Sequence, residues 1–524
     1  MSTQTGYSPS VGRFFGGSPN IARPVVLLVT LCIASLSIAQ DPAEGIQLFS
    51  TARFGIDLAT SNIYFKLPIR TKLGFSYSMA MSSHPYATYQ NGNGNPAFWQ
   101  AVDHPLRGRL DSAASYTLPA YHSGTCANKA DKYWEVNFFV VDGTGALHSA
   151  NGGIVDELGC NPQMTTTASD GSGYTLILSS AIPMPEQATI YDRHGNKIIA
   201  KGPFGLDPGW GPSSSSITDS DGNLITAVNG TYTDSFGVNA LTVSNVLNYS
   251  AGNDSYSYPG FTPGSTQQYQ VLQKSYTEGT AFGCTAVHGH QISDWIETTG
   301  PTYYLPYQIN LPDGSSYQIQ YEQIPGYSGN GPFGPYTTGR VSKIIYSGGG
   351  SITYSYGGSN NGIYCDTLVV PTLTVTVSDN NGNAGTWTYV NSHTGLSSPN
   401  FTVTETTPTG DTITHYFDGE YETERLVKDV NLGVLSTTVT CYNKNYSSQS
   451  SCVSPAWYNP TQITQTDVYT SFGTSAPSLV ETQFDSYGNT TAVKKFSFGA
   501  TYPPSGTPAS ETDTTYAGVS GITC

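Results

Sequence analysis

The stretch Tyr307–Tyr321, YQINLPDGSSYQIQY, decides the fold. Tyr307, Ile309 and Leu311 alternate with polar residues and share one face, Pro312-Asp313-Gly314-Ser315 reverses the chain, and Tyr317, Ile319 and Tyr321 return on one face. Period-two alternation on both sides of a Pro-Asp-Gly turn is the pattern of an antiparallel hairpin. A second hairpin follows, in which Lys343-Ile344-Ile345-Tyr346 and Ile352-Thr353-Tyr354-Ser355-Tyr356 flank Ser347-Gly348-Gly349-Gly350. Outward from these two units the alternation continues, broken roughly every ten to fifteen residues by Gly, Asp, Asn or Pro. The expected fold class is therefore all-β, with consecutive antiparallel hairpins forming a long curled ribbon after an N-terminal β-domain. The expected division is 1–39 as a signal peptide, 40–165 as the N-terminal β-domain, 166–300 as a degenerate repeat-like β-region and 301–524 as the ribbon proper, truncated at its C-terminus.

The composition agrees. Only 11% of the 524 residues are charged, roughly half of the usual globular share of about 25%, which excludes coiled coils and long charged helices. Aromatic residues reach 12%, enough apolar area to exclude a disordered chain. The net charge of -16 repels a phosphate backbone, so nucleic acid is not an expected partner.

A short signature recurs in which Asp is followed three residues later by Gly and then by Asn. It occurs at Asp192/Gly195/Asn196, Asp219/Gly222/Asn223, Asp379/Gly382/Asn383 and Asp485/Gly488/Asn489, with looser copies at Asp142/Gly145 and Asp234/Gly237. The carboxylate of such an Asp accepts backbone N–H groups of the residues after it, and Gly supplies the positive φ that restarts the strand. A calcium loop needs three early oxygen ligands and a distal Glu, which none of these turns supplies.

These turns, together with TTGRVSKIIYSGGGSITYSYGG (Thr337–Gly358), LPDGSSYQIQYE (Leu311–Glu322) and DLATSNIYFKLPI (Asp57–Ile69), give the chain a family likeness. It resembles the RHS/YD-repeat proteins, specifically their N-terminal part without the terminal toxin domain. The resemblance implies a bacterial β-ribbon wound into a hollow shell, of the kind found in secreted polymorphic toxins and adhesins, with a downstream toxin or effector domain as cargo. The repeats here are degenerate and irregularly spaced, and the self-cleavage motif of that family is missing.

Val25–Ala39, VVLLVTLCIASLSIA, is an uncharged apolar run of 15 preceded by Arg13 and Arg23. It is short for a membrane span of about 20 residues, and Ser37 and Ala39 before Gln40 fit a signal-peptidase site; an uncleaved anchor is the alternative. The reading is export to the outside or to the cell surface, with no membrane span after cleavage. An exported chain can oxidise its cysteines. Neighbours in sequence suggest Cys126 with Cys160, Cys284 with Cys365 and Cys441 with Cys452, although spacing leaves the connectivity open. The unmatched Cys524 at the last position prompts the expectation that the chain is the front of a longer protein.

Chemistry-bearing motifs are few. No nucleophile elbow, no G-x-x-x-x-G-K-S/T loop and no G-x-G-x-x-G between a strand and a helix occurs in the sequence, so no cofactor is expected. Cys284, His288 and His290 form the best metal-like cluster, but three ligands without a fourth compete with a disulfide-bound turn. Glu420, Glu422 and Glu424 alternate along DGEYETERL, and a regular strand there stacks all three on one face, where a pair could serve a glycosidase; a solvated strand face is the plainer reading. Trp99, Trp134, Trp210, Trp295, Trp387 and Trp457 invite stacking on sugar rings, against the alternative that they are core. The sequence therefore favours a scaffold without activity of its own, with a cell-surface carbohydrate-binding module and an exported polysaccharide-cleaving enzyme as alternatives.

Overall fold

The computed structural model describes most of the chain between Phe54 and Thr515; the stretches of eight residues or more outside the description are 89–97, 124–131, 202–213, 245–252, 283–298, 363–371 and 454–462, and from 80 to 173 only the backbone is described. The fold is all-β. Its main body is one 26-stranded sheet running from Gln163–Thr167 to Ser510–Asp513, with strands laid down antiparallel in sequence order. The hairpin that opened the sequence reading forms with Ile309 opposite Tyr317 and Asn310 opposite Ser316. Leu311 N–H to Ser315 O and Gly314 N–H to Leu311 O close its turn. Asp313 Oδ1 accepts the Ser315 N–H at 2.9 Å.

One excursion interrupts the order. Ser316–Tyr321 pairs onward with Val341–Tyr346, and the chain between them sends Gly334–Thr337 back alongside Thr266–Gly279, with Thr277 opposite Tyr336 in a parallel contact. Smaller sheets precede the main one. Phe54–Asp57, Asn62–Lys72, Phe75–Ser83 and Arg107–Leu110 make four strands, Pro85–Thr88 and Phe98–Ala101 make two, and Ala114–Ser123, Lys132–Val141 and Leu147–Asp156 make three.

Because strands alternate up and down, every second connection falls on the same margin of the ribbon. The turns at Asp192–Asn196, Asp219–Asn223, Asp234–Val238, Leu311–Ser315, Asp379–Asn383, Thr407–Asp411 and Asp429–Gly433 thus share one margin. The Asp485–Asn489 turn lies on the other, along with longer connections such as that from Gly279 to Thr299.

The core lies on one face of the ribbon. Ile63, Phe65, Leu67 and Ile69 alternate along Asn62–Lys72 and, with Tyr77 and Met79, join Leu241, Val243, Tyr256, Val271, Ile309, Tyr317, Ile344 and Val375 in a single buried cluster. The Phe65 ring meets the Tyr317 ring edge-on at 5.8 Å and Tyr77 meets Tyr232 at 5.0 Å. A two-sided sheet with one apolar face must cover that face, and here the N-terminal strands cover part of it.

A second core lies near the C-terminal end, where Val439, Cys441, Tyr446, Cys452, Tyr469 and Leu479 pack together. Cys441 and Cys452 are bridged with a Cα separation of 5.3 Å. The two cysteines do not lie on paired strands. Gly433–Tyr442 pairs with Gln465–Phe472, and Cys452 sits in the short helix Gln449–Val453. The serines 447–451 explain this, since Ser451 Oγ accepts the N–H groups of Ser447 and Ser448 at 3.0 Å and competes with strand pairing. Cys126, Cys160, Cys284, Cys365 and Cys524 lie outside the described residues.

Phe65→Ala should lower stability by about 3–5 kcal/mol, the usual cost of emptying a buried aromatic site, whereas Gln318→Ala, on the exposed face, should change it by less than about 0.5 kcal/mol. Urea denaturation followed by tyrosine fluorescence measures both; equal effects would mean that the N-terminal strands do not seal the core.

Candidate functional site

The recurrent Asp turns share one hydrogen-bond pattern. Oδ1 of Asp192, Asp219, Asp379 and Asp485 accepts the N–H of the Asn four residues on at 2.8–2.9 Å. Oδ2 accepts that same Asn's side-chain amide at 2.6–3.0 Å. Gly195, Gly222 and Gly382 hold φ of 79–83°, a conformation that costs a residue with a Cβ; Gly488 lies outside the described residues. The Asn223 and Asn383 hydrogen bonds hold the Asp219 and Asp379 carboxyls below the usual carboxylate range. Both oxygens of each Asp are committed to the turn.

Cys284, His288 and His290 lie outside the described residues, as do Glu420, Trp210, Trp295 and Trp457. Trp387 packs against the main core, and Trp99 and Trp134 lie on strands. Among the described residues no three His, Cys, Asp or Glu side chains converge as metal ligands, and no helix is long and apolar enough to cross a membrane.

One grouping of ionisable side chains among the described residues spans four consecutive strands, Ala384–His393, Asn400–Thr406, Thr412–Asp418 and Tyr421–Asp429. A register shift between Tyr416 and Phe417 sets Glu422 opposite Phe417 but Glu424 opposite Tyr416. Successive strand residues point to opposite faces, so Glu422 shares the buried face of Phe417 and Glu424 takes the other. The expected stacking of alternate glutamates is thereby corrected, because Thr423 is the extra residue of a β-bulge. Its hydroxyl donates to the Val453 carbonyl at 2.9 Å.

On the buried face His415 Nδ1 stands 2.6 Å from Glu422 Oε1. Arg425 donates through Nε to Oε1 at 3.0 Å and through Nη2 to Oε2 at 2.8 Å. Burial opposes ionisation of Glu422, but the His415 and Arg425 contacts outweigh it and hold the carboxyl below its ordinary value. Glu405, directly across from Tyr389, is raised by burial, with His415 and Arg425 offsetting part of the rise.

Arg340 is the other anchor. It is 2% exposed and forks onto Glu322 through Nε to Oε2 at 2.6 Å and Nη2 to Oε1 at 2.7 Å. Its guanidinium lies between the rings of Phe282 and Tyr356 at 4.8 and 4.0 Å, and Nη1 donates to the Asn361 carbonyl at 2.9 Å. A guanidinium suits this site because its planar fork and two faces are all used. A third polar nest lies beside the disulfide, where Asp467 accepts from Tyr446 and from Gln465 Nε2.

No motif in the sequence singles out Glu405, His415 or Arg340. A signal for the first two exists. Glu405 continues the alternation Phe401, Val403, Glu405, and His415 precedes Phe417 by two, so both occupy core-facing positions.

No known protein family matches the chain, and no curated protein is similar to it.

Arg340→Lys should lose the fork and the stacking and lower the thermal midpoint, with a cost of about 3–5 kcal/mol when Arg340→Ala leaves Glu322 without its partner. Calorimetry checks this; a change under about 0.5 kcal/mol, the scale of an exposed pair, would make the clamp a surface ornament.

Glu278, at 6% exposure, is pushed by burial from 4.5 up to about 8. Its folded-state value exceeds its unfolded one, so its contribution is fully present below pH 4.5 and is lost as pH rises toward about 8. The loss has a ceiling of about 5 kcal/mol, at about 1.4 kcal/mol per pH unit. Glu278→Gln should flatten the fall in urea midpoint between pH 5 and 8; an unchanged slope would refute the assignment.

Proposed function

We propose that the chain is the wall of an exported scaffold of RHS/YD-repeat type that carries or shelters a polypeptide cargo, such as a toxin or effector domain, and performs no catalysis itself. The observation that carries this reading is the 26-stranded sheet from Gln163 to Asp513, antiparallel and in sequence order apart from one excursion, with several of its hairpins closed by Asp-x-x-Gly turns. Such a ribbon supplies wall area, and its strongest polar groups, Arg340 with Glu322 and Arg425 with Glu422, are engaged with one another. The apolar run Val25–Ala39 supports export.

A carbohydrate-binding reading draws on Phe236 and Phe261, which are 78% and 104% exposed at neighbouring turns of one margin. A polysaccharide-cleaving reading requires a reactive carboxylate on the Tyr421–Asp429 strand.

A compact reporter domain fused after Cys524 should survive a broad-specificity protease at least about tenfold longer than the free reporter, a difference of about 1.4 kcal/mol in exposure. Equal lifetimes would remove the shelter role. Glycan-array binding abolished by Phe261→Ala would favour the carbohydrate module instead, and polysaccharide cleavage abolished by Glu422→Gln would favour the enzyme.

A further inference from the structure

Exposed apolar side chains are unevenly placed on this ribbon. Among the described residues ten large ones are exposed, and five of the ten, Val430, Leu432, Val434, Phe472 and Phe498, fall at three successive turns of one margin. Leu432, Phe498 and Val430 are 75%, 62% and 59% exposed. Single apolar residues scattered over a surface need no account, whereas a contiguous group marks a contact.

Contiguity follows from the pairing. Val430 and Leu432 lie in the turn between Tyr421–Asp429 and Gly433–Tyr442, and Val434 stands opposite Lys428. Gly433–Tyr442 pairs onward with Gln465–Phe472, which sets Phe472 opposite Ser436, two residues from Val434. Phe498 follows the strand Thr490–Phe496 and brings its ring to 6.4 Å from that of Phe472.

The backbone of these tips is satisfied from within. Asp429 Oδ1 accepts the N–H groups of Asn431 and Leu432 at 2.7 Å, and Asp411 Oδ1, from the preceding turn, accepts that of Val430 at 3.1 Å. Gly473 N–H donates to the Leu435 carbonyl, Ser475 N–H to that of Phe472, and the N–H groups of Gly499 and Ala500 to that of Pro477. The tips can therefore leave water without stranding these donors, which is the condition that a lipid phase imposes. Their side chains project from convex turns, a shape that a deformable layer accepts and that a protein partner meets only with a pocket for each.

Charge decides which lipid. Lys428 and Lys495 are exposed near the Asp411 and Asp429 carboxylates, so the rim of the patch carries both signs. The chain as a whole carries a net charge of -16, which an anionic surface repels. A zwitterionic headgroup, with both signs of its own, fits this rim.

We infer that Val430, Leu432, Phe472 and Phe498 enter the headgroup layer of a zwitterionic bilayer, so that the ribbon rests on a membrane surface by one margin without spanning it. Aromatic and aliphatic tips gain apolar contact at that depth while the charged rim stays wet.

The full chain is mixed with phosphatidylcholine vesicles doped with a lipid that yields a carbene near the headgroup on illumination, and labelled peptides are located by mass spectrometry. Label should fall on 429–434, 472–475 and 497–500 and spare the polar turns Leu311–Ser315 and Asp379–Asn383 of the same margin. The apolar run Val25–Ala39 serves as an internal standard. Relative to it, Leu432→Ser/Phe498→Ser should lower label on the patch about tenfold or more, since two large apolar side chains are lost from the contact. Label confined to Val25–Ala39, or equal on the polar turns, overturns the inference even if the double variant does not fold. Label unaltered by the substitutions overturns it too, as does stronger label on phosphatidylserine vesicles. A dimer in solution that the same substitutions dissolve gives the patch to a second copy and likewise overturns it.

Discussion

An Asp carboxylate that holds the N–H and the side-chain amide of the Asn four residues later is the contact on which the ribbon is built. An antiparallel strand satisfies its neighbour's backbone groups only if the chain reverses within a few residues and in register. The Asp-x-x-Gly-Asn turn fixes that reversal locally, with Gly at positive φ restoring the strand direction. A hairpin closed in this way can form before any distant contact does, and a sheet of 26 strands can grow by adding neighbours.

Local closure does not settle how the ribbon is covered. Its apolar face, from Leu241 through Phe417, is one continuous cluster that includes Ile63, Phe65 and Met79 from far earlier in the chain. The N-terminal strands are thus part of the ribbon's core. Some of the apolar face is therefore occupied by the protein's own strands. The charged clusters fit the same picture, because Arg340 ties the excursion after Tyr321 to the strand Gly349–Gly357 through Tyr356 and Glu322.

The setting of Glu422 against His415 and Arg425 shows how a single irregularity redirects chemistry. A regular strand would have placed Glu422 and Glu424 side by side. The bulge at Thr423 separates them, turns Glu422 inward to His415 and brings Arg425, three residues on, to the same carboxylate. A charge set that looks solvated in sequence becomes a buried hydrogen-bonded network.

Alternation and turn chemistry determined the strands, the hairpins and their order by sequence alone, because both act within about ten residues and leave a period that can be read directly. The hairpin at Tyr307–Tyr321 was legible on those terms, and closeness in sequence suggested the pairing of Cys441 with Cys452. Only the tertiary structure decided the helical turn that carries Cys452, the faces of Glu422 and Glu424, and the partners of Arg340. Each depends on a one-residue shift or a contact between segments distant in sequence, and a period-two pattern carries no record of either.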